Sequence, residues 1–206
     1  MQGGFKIAED EKMLVAQDSY LKSGIHIGTK FRTKYMAGFI YKTRPDGLSV
    51  LNLQKIDERI KIAANFLSRY APEDILFVSR RENGWKALKL MKKLLGVKIF
   101  AGRYLPGILT NPSLESYTEA KIILATDAWP DRNAIADAVR IGLPVLALCD
   151  TNNQSNNIDL VIPCNNKGKK SLGLFFWILT REYMKNRSLI HSDEEFKYTV
   201  EDFTEE

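Results

Sequence analysis

Histidine and cysteine are scarce in this chain, two of each among 206 residues. Cys149 and Cys164 each sit at or near the end of an apolar run, and their spacing matches neither a zinc ribbon nor a disulfide framework. Buried, reduced thiols are the expectation. His26 and His191 lie too far apart in sequence to suggest a metal cluster, so no metal and no cofactor are expected. Long apolar runs are missing as well. Residues 122–125 and 172–179 are among the longest, far short of the roughly 20 residues of a membrane helix. The first residues, MQGGFKIAEDEKM, contain no apolar stretch of the kind a signal peptide carries. A soluble, cytoplasmic protein is expected. No Gly-x-Gly-x-x-Gly occurs anywhere, which removes the dinucleotide-binding fingerprint.

Acid is missing from two windows, and that absence says more than the overall charge of +5. Between Asp18 and Asp46 no acidic residue occurs, while Lys22, Lys30, Arg32, Lys34, Lys42 and Arg44 are interleaved with Phe31, Tyr35 and Tyr41. Between Asp159 and Glu182 acids are again absent, and Lys167, Lys169, Lys170 and Arg181 are present. Basic windows with aromatic interleaving fit contact with a nucleic acid. The acids gather instead at residues 192–206, seven against one lysine, leaving a net of +11 on the rest. Such a charge split points to a basic body that meets a polyanion and an acidic, solvated appendage. Signatures of the common RNA-reading modules are absent.

What is present reads as one domain over residues 1–190, followed by a mobile acidic tail at 191–206. A first helix is expected near 9–23, ended by Gly24 in a left-handed cap. The Arg44-Pro45-Asp46-Gly47 turn, with Pro second and Gly fourth, predicts a hairpin over 39–51 appended to the core. Residues 53–70 carry an apolar stripe at helical spacing through Leu53, Ile56, Ile60, Ala63, Ala64 and Leu67. From residue 75 onward, strand-like runs at 75–79, 97–101, 121–126, 144–149 and 160–163 alternate with helical segments. Those runs are continuously apolar, so their strands are covered on both faces. That predicts a three-layer α/β/α domain around a mainly parallel five-stranded sheet. The ten residues 150–159 hold no helix, which is short for a parallel crossover.

Three enzyme-like signals each have a structural reading as well. Asn165-Asn166-Lys167-Gly168-Lys169-Lys170-Ser171 lies between a strand and a helix, as a P-loop does. Pro163 stands where the first P-loop glycine belongs, and Lys170 separates Lys169 from Ser171. Nucleotide hydrolysis is thereby disfavoured, although free N–H groups and lysines at a helix start still suit phosphate. Asp127 and Asp150 end two strands, and Asp131 follows Pro130 where a helix begins. Capping and loop hydrogen bonding are expected of them, since no lysine or serine at matching strand ends completes a catalytic set. His26, between Gly24 and Gly28, has no nucleophile nearby in sequence and reads as a loop anchor or an RNA contact. Phe175, Phe176 and Trp177 read as core.

Four blocks then carry a resemblance. They are SGIHIGTK (23–30), GRYLPGILTNP (102–112), ILATDAWPDRNAIADAVRIGLPVLALCDTN (123–152) and NIDLVIPCNNKGKKSLGLFFWILTREYMKNR (157–187). Together they resemble the small-subunit ribosomal protein SA family, equivalent to protein S-two of bacteria, over residues 9–187. Bacterial members insert a helical hairpin after the LPGILTNP-like stretch of the second block, whereas here only residues 113–120 intervene. The long eukaryotic C-terminal extension is missing too, so the resemblance is to archaeal-type members. It implies a flavodoxin-like sheet of order 2-1-3-4-5 and no catalytic activity. It also implies a place in the small ribosomal subunit near the junction of head and body, in contact with ribosomal RNA and neighbouring proteins. No small-molecule substrate and no membrane partner follow from it. Charge and position nominate Lys30, Arg32, Lys34, Lys42, Arg44, Lys167, Lys169 and Lys170 as RNA-binding. The competing reading is a nucleotide-binding or phosphotransfer enzyme on the same fold, using Asp127, Asp150 and the Gly168 turn.

Overall fold

A computed structural model of the chain describes residues 13–204. In chain order its main elements are α1 (Gln17–Ser23), β1 (Ile40–Thr43), β2 (Ser49–Leu51), α2 (Leu53–Leu67), β3 (Ile75–Ser79), α3 (Trp85–Leu95), β4 (Lys98–Ala101), β5 (Ile122–Ala125), α4 (Arg132–Arg140), β6 (Val145–Cys149), β7 (Leu160–Pro163), α5 (Lys169–Asn186) and α6 (Val200–Phe203). Strands β3 to β7 form one parallel sheet in the order β4-β3-β5-β6-β7, the flavodoxin-like order.

The apolar strands divide their side chains by the two-residue period of a pleated sheet. Ile75, Phe77, Ile122, Leu124, Leu146, Leu148 and Ile162 face a core built with α2, α3 and α5. Leu76, Val78, Ile123, Ala125, Val145, Ala147 and Cys149 face the opposite core, with Ala134, Ile135 and Ala138 of α4 and the loop residues Tyr104, Ile108 and Leu109. Both sides bury apolar area at about 25 cal/mol per Å², and this explains why no strand shows a polar alternation. Cys149 and Cys164 are buried and unpaired, and burial raises both thiol pKa values.

The helix-free connection from β6 to β7 is present as a loop. Ten residues span at most about 35 Å fully extended, enough to return along a strand of five. The loop carries Ile158 back against the α4-side core and closes when Asp159 Oδ2 accepts from Val145 N at 2.8 Å. It covers that face of the sheet where a crossover helix would otherwise lie. The hairpin forms as expected, with β1 and β2 antiparallel and Gly47 N bonded to Arg44 O at 2.9 Å across the turn.

Two expectations are corrected. Of the first helix, residues 9–12 lie outside the described residues, and helix begins only at Gln17. Residues 13–16 are irregular because their backbone is engaged elsewhere: Leu14 N donates to Asp57 Oδ1 at 2.9 Å, and Leu14 O accepts from Arg181 at 2.7 Å. The cap is as expected, with Gly24 at φ 68° and its N–H on Leu21 O. The acidic tail, over its described part, is docked rather than detached. Phe203 is fully buried and Phe196 nearly so, the Phe196 ring stands edge-on to Trp177 at 5.8 Å, and Trp177 Nε1 donates to Tyr198 O at 2.7 Å. Lys86 Nζ reaches Thr204 O at 2.7 Å, and Asp193 lies 3.2 Å from Arg181. Phe196, Val200 and Phe203 form an apolar stripe that a count of charges hides; burying it on α5 outweighs the solvation of the surrounding acids.

Candidate nucleic-acid interface

The carboxyl edge of a parallel sheet is where open α/β folds place ligands. Here polar side chains fill much of that edge. Asp127, just past β5, accepts from Trp129 N at 3.0 Å, Asn153 Nδ2 at 2.9 Å and Arg81 Nε at 2.7 Å. Asn153 in turn accepts from Asp150 N at 2.8 Å and Asn166 Nδ2 at 3.1 Å. Asp150, just past β6, takes Thr151 N at 2.6 Å and Lys167 Nζ at 3.1 Å. A lysine therefore does meet a strand-end aspartate, a pairing that sequence distance concealed. Asp150 and Asp127 are nonetheless engaged by backbone N–H groups and cations, and among the described residues no three acidic, histidine or cysteine side chains converge as a metal site.

Asp131 does not cap its own helix. Its carboxylate reaches back across the sheet edge to Arg80 N at 2.9 Å and Asp127 N at 3.1 Å, joining the ends of β3 and β5. Burial pushes its pKa up to about 7, the two N–H donors opposing and the nearby Asp127 charge assisting.

Across the ends of β6 and β7 lies the first basic window. Its residues pair with β2 through Gly28 N to Ser49 O at 2.9 Å and Ser49 N to Thr29 O at 3.1 Å. They are fixed to the β6 loop by Thr29 N to Thr151 Oγ1 at 2.9 Å, Thr33 N to Thr151 O at 2.9 Å and Thr33 Oγ1 to Asn153 O at 2.8 Å. Asn165 N donates to Ile25 O at 2.8 Å, which ties the β7 loop to the same segment. Only glycine fits at position 28, where a Cβ would meet Thr151 Cγ2 at 2.4 Å. The carboxyl edge above β6 and β7 is thus closed by chain, and that chain presents Lys30, Arg32 and Lys34 outward.

The nominated cations are distributed unevenly. Lys30, Arg32, Lys34, Lys42 and Arg44 are exposed, and Arg32 Nη1 to Thr43 Oγ1 at 3.2 Å links the segment to the hairpin. Tyr41, Tyr35 and Phe31 are exposed among them, at 68%, 56% and 80%, too open to serve as core. Lys167 is turned inward onto Asp150, half-buried, while Lys169 and Lys170 are exposed on the first turn of α5. Lys170 faces a separate groove shared with Lys22, Lys86 and Glu201. His26 lines a cleft beside Tyr41, Lys42 and Arg44, its carbonyl accepting from Leu51 N at 2.8 Å. Charge windows missed Arg80, Arg81, Arg103 and Arg132, which are scattered in sequence but all sit at this same edge. The overlooked signal is a basic residue at or shortly after the end of each apolar run.

Known proteins resemble this chain over most of its length. A family model described as ribosomal protein S2 matches residues 20–118 and 115–185. The chain is 45% identical over 194 residues to the small ribosomal subunit protein uS2 of Picrophilus torridus, covering 94% of this chain and 97% of that protein. It is 50% identical over 190 residues to that of Nanoarchaeum equitans, covering 92% and 94%. With that of Ignicoccus hospitalis it shares 48% over 191 residues, covering 92% and 89%.

Proposed function

The chain belongs to the ribosomal protein S2 family, in its archaeal form, and from that premise we propose that it is a structural constituent of the small ribosomal subunit, holding ribosomal RNA through its basic carboxyl edge. The observation that carries this reading is identity of 45% spread over 94% of the chain with a protein named for that subunit. The geometry supports it. A polyanion needs an exposed positive surface that keeps its shape, and the 24–36 segment is pinned to strand β2 and to the loops after β6 and β7 by backbone and threonine hydrogen bonds. Lys30, Arg32, Lys34, Lys42 and Arg44 would read phosphates by position, with Lys169 and Lys170 extending the surface along α5. Phosphate contacts of this kind fix register and orientation without reading sequence.

Neighbouring small-subunit proteins are its further partners in this reading, and the cytoplasm is where it works. No helix among the described residues is long and apolar enough to cross a membrane. The role is that of a scaffold component rather than a catalyst. Asp127 and Asp150 hold loops together, so the phosphotransfer alternative has no unengaged carboxylate at either position. Sedimentation with small subunits stripped of this protein tests the reading. The purified chain is expected to enter the subunit peak stoichiometrically and to resist displacement by the large subunit. Failure to enter, with the chain folded, would overturn it.

A further inference from the structure

Arg80 follows β3, Arg103 follows β4 by two residues, and Arg132 opens α4 beyond β5. These three strands flank the point where the chain reverses its direction of winding: the connection from β3 runs outward to β4, and that from β5 runs the other way to β6. Chain from the 24–36 segment closes the edge over β6 and β7, but here a cleft of about 750 Å³ remains open, lined by the three arginines with Trp129 and Asn133. All three arginines are exposed, and among the described residues none of their guanidinium groups has a hydrogen-bond or ion-pair partner. The acids behind them are engaged: Asp127 by Arg81, Asp131 by two backbone N–H groups, and Asp137 by Tyr104, Gly107 and Arg140.

Trp129 is the second feature. The residue is 73% exposed, yet its backbone is fixed by N–H donation to Asp127 Oδ1 at 3.0 Å and by Pro130 after it. It also forms a wall of a smaller cleft of about 220 Å³, shared with Arg132 and lined by Asn153, Gln154, Asn156 and Asn157. An aromatic ridge on an anchored backbone thus stands between an arginine-lined hollow and an amide-lined one. Gly102, at φ 123° and bonded through its N–H to Ser79 O at 2.9 Å, makes the bend that delivers Arg103 to the hollow.

We propose that this cleft binds an unpaired stretch of RNA, with a base stacked on Trp129, phosphates against Arg80, Arg103 and Arg132, and base edges met by the exposed amides of Gln154, Asn156 and Asn157 beyond the ridge. The inference rests on the ribosomal reading and adds to it a single-strand site separate from the two basic windows. Stacking on an open aromatic requires bases free of a duplex. An acidic peptide would satisfy the arginines but leave the indole and the amides without a role.

The test uses the full chain and two probes, a fluorescein-labelled hexaadenylate and small-subunit RNA. The hexanucleotide is expected to quench Trp129 fluorescence. Trp129→Ala should weaken hexanucleotide binding by about ten-fold, within the range for loss of one stacked base, and Trp129→Phe should retain most of it. Arg103→Ala and Arg132→Ala should each lower the slope of log affinity against log salt by about 0.7. Lys30→Ala should leave hexanucleotide binding unchanged while weakening binding to small-subunit RNA. No hexanucleotide binding, or equal binding by the Trp129 and arginine variants, overturns the inference; the ribosomal reading then stands or falls separately on whether small-subunit RNA still binds the unaltered chain. Displacement of the hexanucleotide by magnesium ATP or by polyglutamate at equal concentration would also overturn it, in favour of a mononucleotide or an acidic partner.

Discussion

Lys167 Nζ lies 3.1 Å from Asp150 Oδ2, with the aspartate buried and the lysine half-buried. The cation therefore neutralises a strand-end carboxylate before it can serve an external phosphate. Lys167→Ala is expected to act on stability first. It leaves a buried carboxylate with only the donors of Thr151, but because the lysine side chain is 38% exposed and water can replace it, the cost should be about 1 kcal/mol. Thermal melting should show this loss, while the salt dependence of RNA binding should barely change. A full phosphate-contact loss of slope with unchanged melting would mean that Lys167 leaves Asp150 for RNA.

Asp131 yields a pH prediction. Its folded pKa is raised to about 7 by burial, above the roughly 3.9 of an unfolded aspartate. Between those values the native state binds the proton more tightly, so stability from this group is greatest at low pH and falls as pH rises toward 7. Asp131→Ala removes the acceptor of two backbone N–H groups and should cost about 2 kcal/mol at pH 5. Melting curves of both proteins should then converge as pH is raised from 5 to 8. A gap that widens over that interval would show that the carboxylate is held ionised.

The strands were readable in the sequence, because short continuous apolar runs bounded by turn residues fit a sheet covered on both faces. The hairpin turn was equally plain from Pro45 and Gly47. The docked tail and the role of Asp131 were not. Phe196, Val200 and Phe203 are only three residues in an acidic stretch, and whether they find a hydrophobic seat depends on the far-off Gly173, where a Cβ would meet Thr204 Oγ1 at 2.4 Å. A proline followed by an aspartate at a helix start signals a cap, and only the proximity of Arg80 N diverts the carboxylate. The candidate site was half legible for a related reason. Charge clustered in sequence is visible, whereas Arg80, Arg103 and Arg132 become a cluster only once three parallel strands end side by side.

Removal of residues 192–206 is now expected to destabilise the body, not merely to remove negative charge. Phe203 is fully buried against α5, and truncating such a phenylalanine costs about 3–5 kcal/mol. Phe203→Ala should lower the melting temperature markedly, and the complete truncation should lower it at least as far. A deletion that melts like the intact chain would show that the docked tail contributes no net stability.

The basic segment provides the most discriminating measurement, because phosphate contact has a salt signature that mere solubility lacks. Each cation that displaces a condensed counterion adds to the slope of log affinity against log salt, so losing one true contact lowers the slope by about 0.7 to 0.9. Lys30, Arg32 and Lys34 are exposed on a segment whose backbone is pinned to the β6 loop and to β2, so alanine there removes charge without loosening the fold. Each of the three variants should bind small-subunit RNA more weakly with that loss of slope and an unchanged melting temperature. Lys61 and Lys89, exposed on α2 and α3, are the controls. Equal behaviour of segment and control variants would place the RNA on another face of the molecule, since a diffuse positive field weakens with any lysine removed and only a local contact distinguishes one lysine from another.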